Sequence, residues 1–271
     1  MQKKISFVLC ILNERKNLSN INRNIEFLKG QDIIIVDGGS TDNTVKELQD
    51  NPYINFIQLK NQGLLKQRVE GIKNAKNDIV FLFDSDDELK NLDITALSEE
   101  LKSKNVDGIQ IKANSCGNYW ESSWGAYFQT IHFEQNSEVL GRPSVTYKKF
   151  YTSLNITKNI FCEDTFLKFE HKKRYGKLKY CFSNQLIVRK SPKTFYSSLM
   201  QFYKYGKSDS SIIDSKEKLL DLLYHSLIRI TVLRTFTLIK LKLIIYAPFV
   251  FLMGLARSFG IMIGLISRKV F

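Results

Sequence analysis

Cysteine and histidine are scarce in this chain, and their spacing excludes several kinds of site. The 271 residues include four cysteines and three histidines. No two cysteines lie as close together as in a disulfide-rich domain or a zinc site, so we expect free thiols in a reducing compartment. The histidines have no metal-ligand spacing and are interpreted as ordinary residues. These residues are Cys10, Cys116, Cys162, Cys181, His132, His171 and His225.

The sequence also has no secretory signal pattern, internal repeat, low-complexity linker or nucleic-acid-binding motif. Its basic start runs directly into a strand-like segment without a small-residue cleavage site, so we expect the amino-terminal domain to stay in the cytoplasm. The length suits one α/β domain with additions better than two equal domains.

Acidic residues are outnumbered, 27 against 40 basic ones, which gives a net charge of +13. The excess is concentrated between residues 168 and 193, where Glu170 is the single acidic residue. Such a surface attracts phosphate groups, on anionic lipid headgroups or on a phosphorylated substrate. The basic residues are Lys168, Lys172, Lys173, Arg174, Lys177, Lys179, Arg189, Lys190 and Lys193.

Strands alternate with helices in the first 83 residues, which predicts βαβ crossovers and a parallel sheet. The predicted strands are 4–12, 32–36, 53–59 and 78–83, and the predicted helices are 17–29, 43–49 and 64–75. Further along, the pattern predicts helices at 92–101, 164–174 and 192–205 and strands at 108–112 and 178–188. The aromatic-rich stretch 118–133 fits neither pattern, and 141–143 is a predicted turn.

Residues 78–88 contain a short apolar run that ends in a cluster of carboxylates. Residues two apart on an extended backbone point to the same side, so Asp84 and Asp86 can converge on one point. Four acidic residues in five positions repel one another unless a cation lies among them. Mg²⁺ or Mn²⁺ suits such a site, since each binds a few carboxylates and takes its other ligands from phosphates and water. A turn or helix cap would favour the same residues.

Ligands of parallel α/β sheets bind beyond the carboxyl ends of the strands. Polar residues follow three of the predicted strands, and we expect them to converge on one crevice. They are Asn13 and Glu14, Asp37, and Asp84, Ser85 and Asp86.

With its motifs in this order, the chain resembles the family 2 glycosyltransferases of GT-A fold. The resemblance covers residues 4–206 and rests on residues 13–14, 37–42 and 84–87 after their strands. It implies a Rossmann-like, mostly parallel central sheet, a nucleotide-sugar donor, and Mg²⁺ or Mn²⁺ held by Asp84 and Asp86. The donor-side residues that it implies are Asn13, Glu14, Asp37, Arg68, Asp84 and Ser85.

Two of these residues have specific roles in the family. Asp37 matches the aspartate that recognises the nucleotide base, and Gly63 followed by Arg68 matches a segment beside the nucleotide. This sequence departs from the family where Val69 replaces an asparagine, and where Cys10 and Leu12 replace threonine and tyrosine at the end of the first strand.

Glu163 and Asp164, before a predicted helix, match the family's ED motif, whose aspartate is the catalytic base. A carboxylate there can take the proton of an acceptor hydroxyl as the new bond forms, and direct displacement inverts the anomeric centre. The structural alternative is an acidic pair favoured by the helix dipole. Residues 201–206 resemble loosely the family's QxxRW motif, which places Gln201 and Lys204 on the acceptor or diphosphate side; a solvated helix end capped by Gly206 is the alternative.

Residues 238–267 are far more apolar than the rest of the chain. Pro248 and Arg257 are expected to divide them into two pieces, each too short for a simple span. Basic residues on both sides favour a re-entrant or interfacial helix on the cytoplasmic side of the membrane, attached peripherally or monotopically. Gly260 and Gly264 have the spacing of close helix packing. The alternative to membrane attachment is a hydrophobic helix buried within a soluble dimer, a homo-oligomer formed through this extension.

These observations predict a catalytic domain over 1–210 and a helical, membrane-associating extension over 211–271. The expected activity is transfer of a sugar to a lipid-linked or surface-glycan acceptor, with residues 120–128 and 142–155 on the acceptor side. A nucleotidyltransferase could use the same crevice, although a glycine-rich basic loop is missing after the first strand. A catalytically silent glycan- or membrane-binding protein of the same fold is the third possibility.

Overall fold

The computed structural model describes residues 4–133, 136, 137, 139–154, 156 and 163–269. The chain forms two compact units. The first unit is made of Met1–Ala113, Gln135–Asn159 and Leu167–Arg189, and the second is made of Asn114–Glu134, Ile160–Phe166 and Lys190–Phe271. The domain boundary expected at residue 210 stays a prediction.

Nine strands within the described residues form a single sheet. They are β1 (Ile5–Ile11), β2 (Asp32–Asp37), β3 (Asn55–Gln58), β4 (Ile79–Phe83), β5 (Asp87–Glu88), β6 (Gly108–Asn114), β7 (Asn136–Ser137), β8 (Ser144–Tyr147) and β9 (Tyr180–Arg189). Their order is β3-β2-β1-β4-β8-β6-β9-β5, with β7 beside β9. The first four strands pair in parallel, whereas β8 is antiparallel to both β4 and β6.

The helices follow the predicted alternation, with ends shifted by a few residues. They are α1 (Leu18–Phe27), α2 (Thr44–Leu48), α3 (Leu64–Asn74), α4 (Ile94–Ser103), α5 (Tyr119–His132), α6 (Lys149–Thr152), α7 (Glu163–Tyr175), α8 (Phe195–Asp209), α9 (Lys216–Leu223), α10 (Thr235–Lys240) and α11 (Ala247–Lys269). A π-helical stretch, Tyr224–Arg234, joins α9 to α10. The predicted α/β class with carboxyl-terminal helices is confirmed.

The core of the first unit lies on the parallel half of the sheet, where strands buried on both faces carry continuous apolar runs. Phe7, Ile34 and Phe81 are fully buried there, and burying a phenylalanine contributes about 2–3 kcal/mol. Helix α3 packs closely on this sheet, since a methyl group at Gly71 would lie 2.7 Å from Val8 Cγ1.

The second unit contains the stretch that the sequence left unclassified, which is helix α5. Asn118 caps its amino terminus in a capping box with Glu121. Trp124 and Tyr127 are buried in an aromatic core with Phe202. We expected residues 120–128 on the acceptor side; Trp124 and Tyr127 are buried within this core, and the acceptor-side role of the stretch stays a prediction.

The apolar tail does not break into two pieces as predicted. Helix α11 is continuous, because Pro248 lies in its first turn, where a missing N–H group costs little. The charge of Arg257 does not interrupt the helix either, since the carboxylate of Asp209 pairs with it at 2.7 Å. The close packing predicted for Gly260 and Gly264 is confirmed, and it lies within the chain: methyl groups there would overlap the carbonyl oxygen of Tyr203 and the side chain of Ser210.

Two segments, Lys216–Lys240 and Ile244–Arg268, are long and apolar enough to cross a membrane, judged by length and composition alone. In the second segment, Ile244–Arg268, half of the apolar 18-residue stretch that meets this criterion is buried in the protein. Helices in the core of a soluble protein pass the same test.

Candidate active site

The polar residues predicted to share one crevice follow strands of the parallel half of the sheet. β1 pairs in parallel with both β2 and β4, so the carboxyl ends of the three strands lie at one edge. Asp37 is the last residue of β2, Asp84 directly follows β4, and Asn13 comes two residues after β1.

Asp84, Asp86 and Asp87 form a carboxylate cluster at this edge. Each offers one oxygen atom, and these oxygens lie within 4.8 Å of one another. The backbone N–H of Asp84 donates to Asp87 Oδ2 at 2.9 Å, which closes the turn after β4. The sequence pointed to Asp84 and Asp86, and the structure adds Asp87, whose side chain is fully buried.

Two arginines neutralise part of the cluster. Arg68, on α3, approaches Asp84 Oδ1 at 2.6 Å. Arg189, at the end of β9, contacts both oxygens of Asp87, at 2.7 and 3.0 Å, and Asp84 Oδ2 at 3.3 Å. Burial acts to raise the pKa of Asp84, but these two guanidinium groups outweigh it and hold that pKa below its usual value.

Arg189 was predicted to lie on the basic surface of residues 168–193, and this is wrong. Its side chain is largely buried and faces the carboxylates of the cluster, because an arginine fork can satisfy both oxygens of a buried aspartate. Lys172, Lys173 and Lys177 are exposed, as expected of that surface.

The negative charge of Asp86 is only weakly compensated by its neighbours. Its Oδ1 atom is buried and accepts no hydrogen bond from the described residues, and Arg189 Nε lies 3.8 Å from it. Burial raises the pKa of Asp86 to about 7; the charges of Asp87 and Asp84 add to this, while Arg189 opposes it. Three acidic groups beside two guanidinium groups suit a hard divalent cation with oxygen ligands, so these residues fit Mg²⁺ or Mn²⁺.

The asparagines of α1 fix the loop that carries the cluster. Asn20 Nδ2 donates to the carbonyl oxygens of Ser85 and Asp87 at 2.9 and 2.8 Å. Asn24 Nδ2 donates to the same Asp87 oxygen at 2.7 Å, and Asn24 Oδ1 accepts from the N–H of Leu89. Sequence reasoning missed these residues, although their spacing along one face of α1 was a signal.

The loops after β1 and β2 brace each other. Asn13, whose φ is 56°, accepts at Oδ1 from the N–H of Thr41 at 2.8 Å, and its own N–H donates to Ser40 Oγ. The N–H of Glu14 donates to Thr44 Oγ1 at 3.0 Å. Asp37 is fully buried, and its carboxylate accepts from the N–H groups of Gly39 and Ser40.

Asn17, at the start of α1, brings Glu14 and Ser85 together. Its Nδ2 donates to Glu14 Oε2 at 2.7 Å and to Ser85 Oγ at 3.3 Å. The structure therefore assembles the predicted donor-side residues on one edge of the first unit. They are Asn13, Glu14, Asp37, Arg68, Asp84 and Ser85.

The remaining predicted residues belong to the second unit. Glu163 and Asp164 begin α7, with Glu163 buried and Asp164 half-buried. Gln201 lies within α8 and donates to the hydroxyl of Tyr205, while Lys204 is exposed. Gly206 does not cap α8, which continues to Asp209.

The predicted acceptor segment 142–155 contains one buried arginine whose contacts are structural. Arg142 donates to the carbonyl of Leu140 at 2.7 Å and to the hydroxyls of Ser144 and Tyr151 at 3.2 Å. Residue 155 and the free-thiol prediction for Cys162 fall outside the described residues, whereas Cys10, Cys116 and Cys181 are free thiols.

A family model described as Glycosyl transferase family 2 matches residues 6–175, more than half of the chain. The chain belongs to this family, as the resemblance predicted. A curated relative, glycosyltransferase GlyG of Streptococcus pneumoniae serotype 4, is 31% identical over 135 residues, which cover 47% of this chain and 44% of that protein. Glycosyltransferase YfnE of Bacillus subtilis is 26% identical over 146 residues, covering 50% and 35%. The chain thus spans less than half the length of these relatives.

Solved structures show the same fold at low identity. TarS of S. aureus matches with a TM-score of 0.53 and 15% identity, covering 82% of this chain and 43% of that one. Glucosyl-3-phosphoglycerate synthase of Mycobacterium tuberculosis, solved with Mg²⁺ and uridine diphosphate, matches with a TM-score of 0.51 and 16% identity, covering 75% and 77%. These matches confirm the predicted GT-A fold.

Proposed function

We propose that this chain is an inverting, metal-dependent glycosyltransferase that moves a sugar from a nucleotide-sugar donor to a hydroxyl group of its acceptor. The observation that carries the proposal is the carboxylate cluster at the end of β4, with its unsatisfied Asp86 oxygen, in a chain of family 2. Buried side-chain oxygen atoms in folded proteins are hydrogen-bonded in the large majority of cases, so an exception in this turn points to a further ligand.

Asp84 and Asp86 are the proposed ligands of Mg²⁺ or Mn²⁺. When bound, the ion would offset the negative charge of the donor's diphosphate. Arg68 holds Asp84 in place, and Arg189 neutralises Asp87. Fewer uncompensated negative charges therefore surround the ion.

Asp37 is the proposed contact to the nucleotide base, with Asn13, Glu14, Arg68 and Ser85 around the rest of the donor. The braced loops fix these groups before the donor arrives, which lowers the entropy cost of binding.

Asp164 is the proposed catalytic base, which takes the proton of the acceptor hydroxyl during inverting displacement. It lies in the first turn of α7, a position where acidic residues are favoured by the helix dipole. Glu163, Gln201 and Lys204 are proposed on the acceptor or diphosphate side.

The acceptor is proposed to be lipid-linked or a growing surface glycan, reached from the cytoplasmic side of the membrane. The second unit supports this location, because α11 exposes an apolar stripe at helical spacing. Exposed Ile244 and Ile245 lie beside Lys242 in the turn before α11, a combination that suits lipid tails and anionic headgroups. The stripe consists of Phe251, Leu255, Phe259, Met262 and Ile266.

The test is to incubate the purified chain with a panel of nucleotide sugars, Mn²⁺ and a membrane lipid extract. We expect release of a nucleoside diphosphate that EDTA abolishes and excess Mn²⁺ restores. Release of a sugar 1-phosphate instead would identify a nucleotidyltransferase, because transfer of the nucleotidyl group breaks the bond between the donor's two phosphates. Donor binding without turnover would identify the catalytically silent protein, and EDTA-insensitive turnover would contradict the metal assignment.

A further inference from the structure

Asp209, the last residue of α8, is a carboxylate in an unfavourable place. Its side chain is 2% exposed. It lies at the carboxyl end of a 15-residue helix, where the helix dipole disfavours negative charge. Burying a charge there costs free energy unless specific partners compensate.

The two oxygens of Asp209 serve two different partners. Oδ2 accepts from Arg257 Nε and Nη2 at 2.9 and 2.7 Å. Oδ1 accepts from the hydroxyl of Thr165 at 2.9 Å. One carboxylate therefore joins the middle of α11 to the first turn of α7.

Thr165 directly follows Glu163 and Asp164 at the start of α7. We propose that Asp209 is a positioning residue, held by Arg257, which fixes the first turn of α7 through Thr165 and so sets the orientation of Asp164. The proposal rests on the proposed function, in which Asp164 is the catalytic base. It makes α11 a contributor to catalysis and not only a membrane-facing helix.

A buried ion pair is weak evidence for a stabilising role. Replacing a buried ion pair by apolar side chains of similar volume is often neutral or stabilising. A pair kept only for stability is therefore replaceable, whereas a pair that positions Asp164 is not.

The first experiment compares Thr165→Val with Thr165→Ser. Valine keeps the shape of the side chain but lacks the hydroxyl group that donates to Asp209, whereas serine keeps this hydroxyl group. We expect kcat to fall on the order of 10–100-fold in Thr165→Val, with the donor KM unchanged, and to return to within about twofold of wild type in Thr165→Ser. Equal kcat values in wild type and Thr165→Val would overturn the proposal.

The second experiment replaces the pair, as the double variant Asp209→Leu/Arg257→Met. We expect a melting temperature no lower than that of wild type together with a loss of kcat like that of Thr165→Val. Full activity in the folded double variant would also overturn the proposal. If this variant does not fold, the comparison at Thr165 decides alone.

Hydrogen exchange supplies a measurement independent of turnover. Amides in the first turns of α7 should exchange faster in Thr165→Val than in wild type. Unchanged exchange rates would contradict the idea that the hydrogen bond from Thr165 to Asp209 fixes this turn. Failure of the proposed function has a different signature: wild type would transfer no sugar, or Asp164→Asn would transfer as fast as wild type.

Discussion

Asp84, Asp86 and Asp87 share two guanidinium groups, so the least well-neutralised carboxylate governs the affinity of the site for a cation. That carboxylate is Asp86, whose buried Oδ1 accepts no hydrogen bond within the part of the chain that the structure describes. The same charge that would bind a metal disfavours the metal-free fold, because like charges repel in a poorly solvated cluster.

Asp86→Asn separates these two effects. Removing the charge should leave the melting temperature of the metal-free protein unchanged or higher, while Mn²⁺ affinity falls by at least tenfold and transfer is abolished. Calorimetric Mn²⁺ titration and thermal melts would measure both, with the exposed Asp50→Asn as the matched control. Wild-type Mn²⁺ affinity in Asp86→Asn would refute the ligand assignment.

His171 predicts an acid-sensitive component of stability in the first unit. Burial lowers its pKa, and it lies between the hydroxyl of Tyr180 and the carbonyl of Phe150, both 3.1 Å away. Below about pH 6.5 the unfolded chain binds a proton that the folded one resists, so the free energy of unfolding falls as the pH drops.

We therefore expect wild type to lose stability between pH 7 and pH 5 more steeply than His171→Gln. Urea denaturation at several pH values would measure this, using the slope with pH and not the absolute stability. Parallel slopes for the two proteins would show that His171 does not contribute.

The sequence predicted the residues that directly follow strands, because strand periodicity alone places them at one edge. It could not predict Arg189 as the partner of Asp87, since 102 residues separate the two and basic composition nearby suggested a surface. Pairing of this kind depends on the register of β9 against β5, which local pattern does not encode.

At the scale of elements, α1 supports the cluster through its asparagines. Asn20→Ala would leave the buried carbonyl of Ser85 without this donor, so we expect a loss of about 1–3 kcal/mol and weaker Mn²⁺ binding. Asn22→Ala, on the exposed face of the same helix, is the matched control and should change neither quantity. Urea denaturation and Mn²⁺ titration would measure both variants.

The crossing of α8 and α11 depends on glycine. A methyl group at Gly206 would overlap the carbonyl of Arg257, so Gly206→Ala should destabilise the second unit by about 2–3 kcal/mol. Lys207→Ala, exposed on the same helix, should stay within about 0.5 kcal/mol of wild type. A melting temperature unchanged in Gly206→Ala would contradict the close crossing.

Helix α11 shows why element boundaries were less predictable than element types. Read along the sequence, Pro248 and Arg257 are interruptions of an apolar run. In the fold, the first lies where a helix tolerates proline, and Asp209 neutralises the second. The aromatic helix α5 escaped prediction for a related reason: it is apolar on several faces, because a core surrounds it.

At the scale of the whole molecule, the exposed apolar stripe predicts binding to lipid. Wild type should co-sediment with vesicles that contain phosphatidylglycerol, and Phe251→Ser/Leu255→Ser/Phe259→Ser should bind them more than tenfold more weakly. Leu186→Ser, at an exposed apolar residue of the first unit, should bind as wild type does. A dimer that is soluble without detergent and does not bind vesicles would support the alternative, in which a second copy of the chain covers the stripe.

The order of motifs predicted the family and the GT-A fold, because strand ends and their carboxylates recur in one sequence order. The division into two compact units was harder to predict from the sequence, because the second unit consists of three separate stretches of the chain. Contacts between distant segments decide such a division, and a single sequence does not report them.

The ion pair of Arg257 with Asp209 also bears on how the protein reaches a bilayer. An arginine at the centre of a helix costs about 2.5–3.5 kcal/mol during translocon-mediated insertion, and insertion would leave Asp209 buried without its cation. We therefore expect the chain to fold in solution after synthesis. The folded protein then binds to the membrane surface.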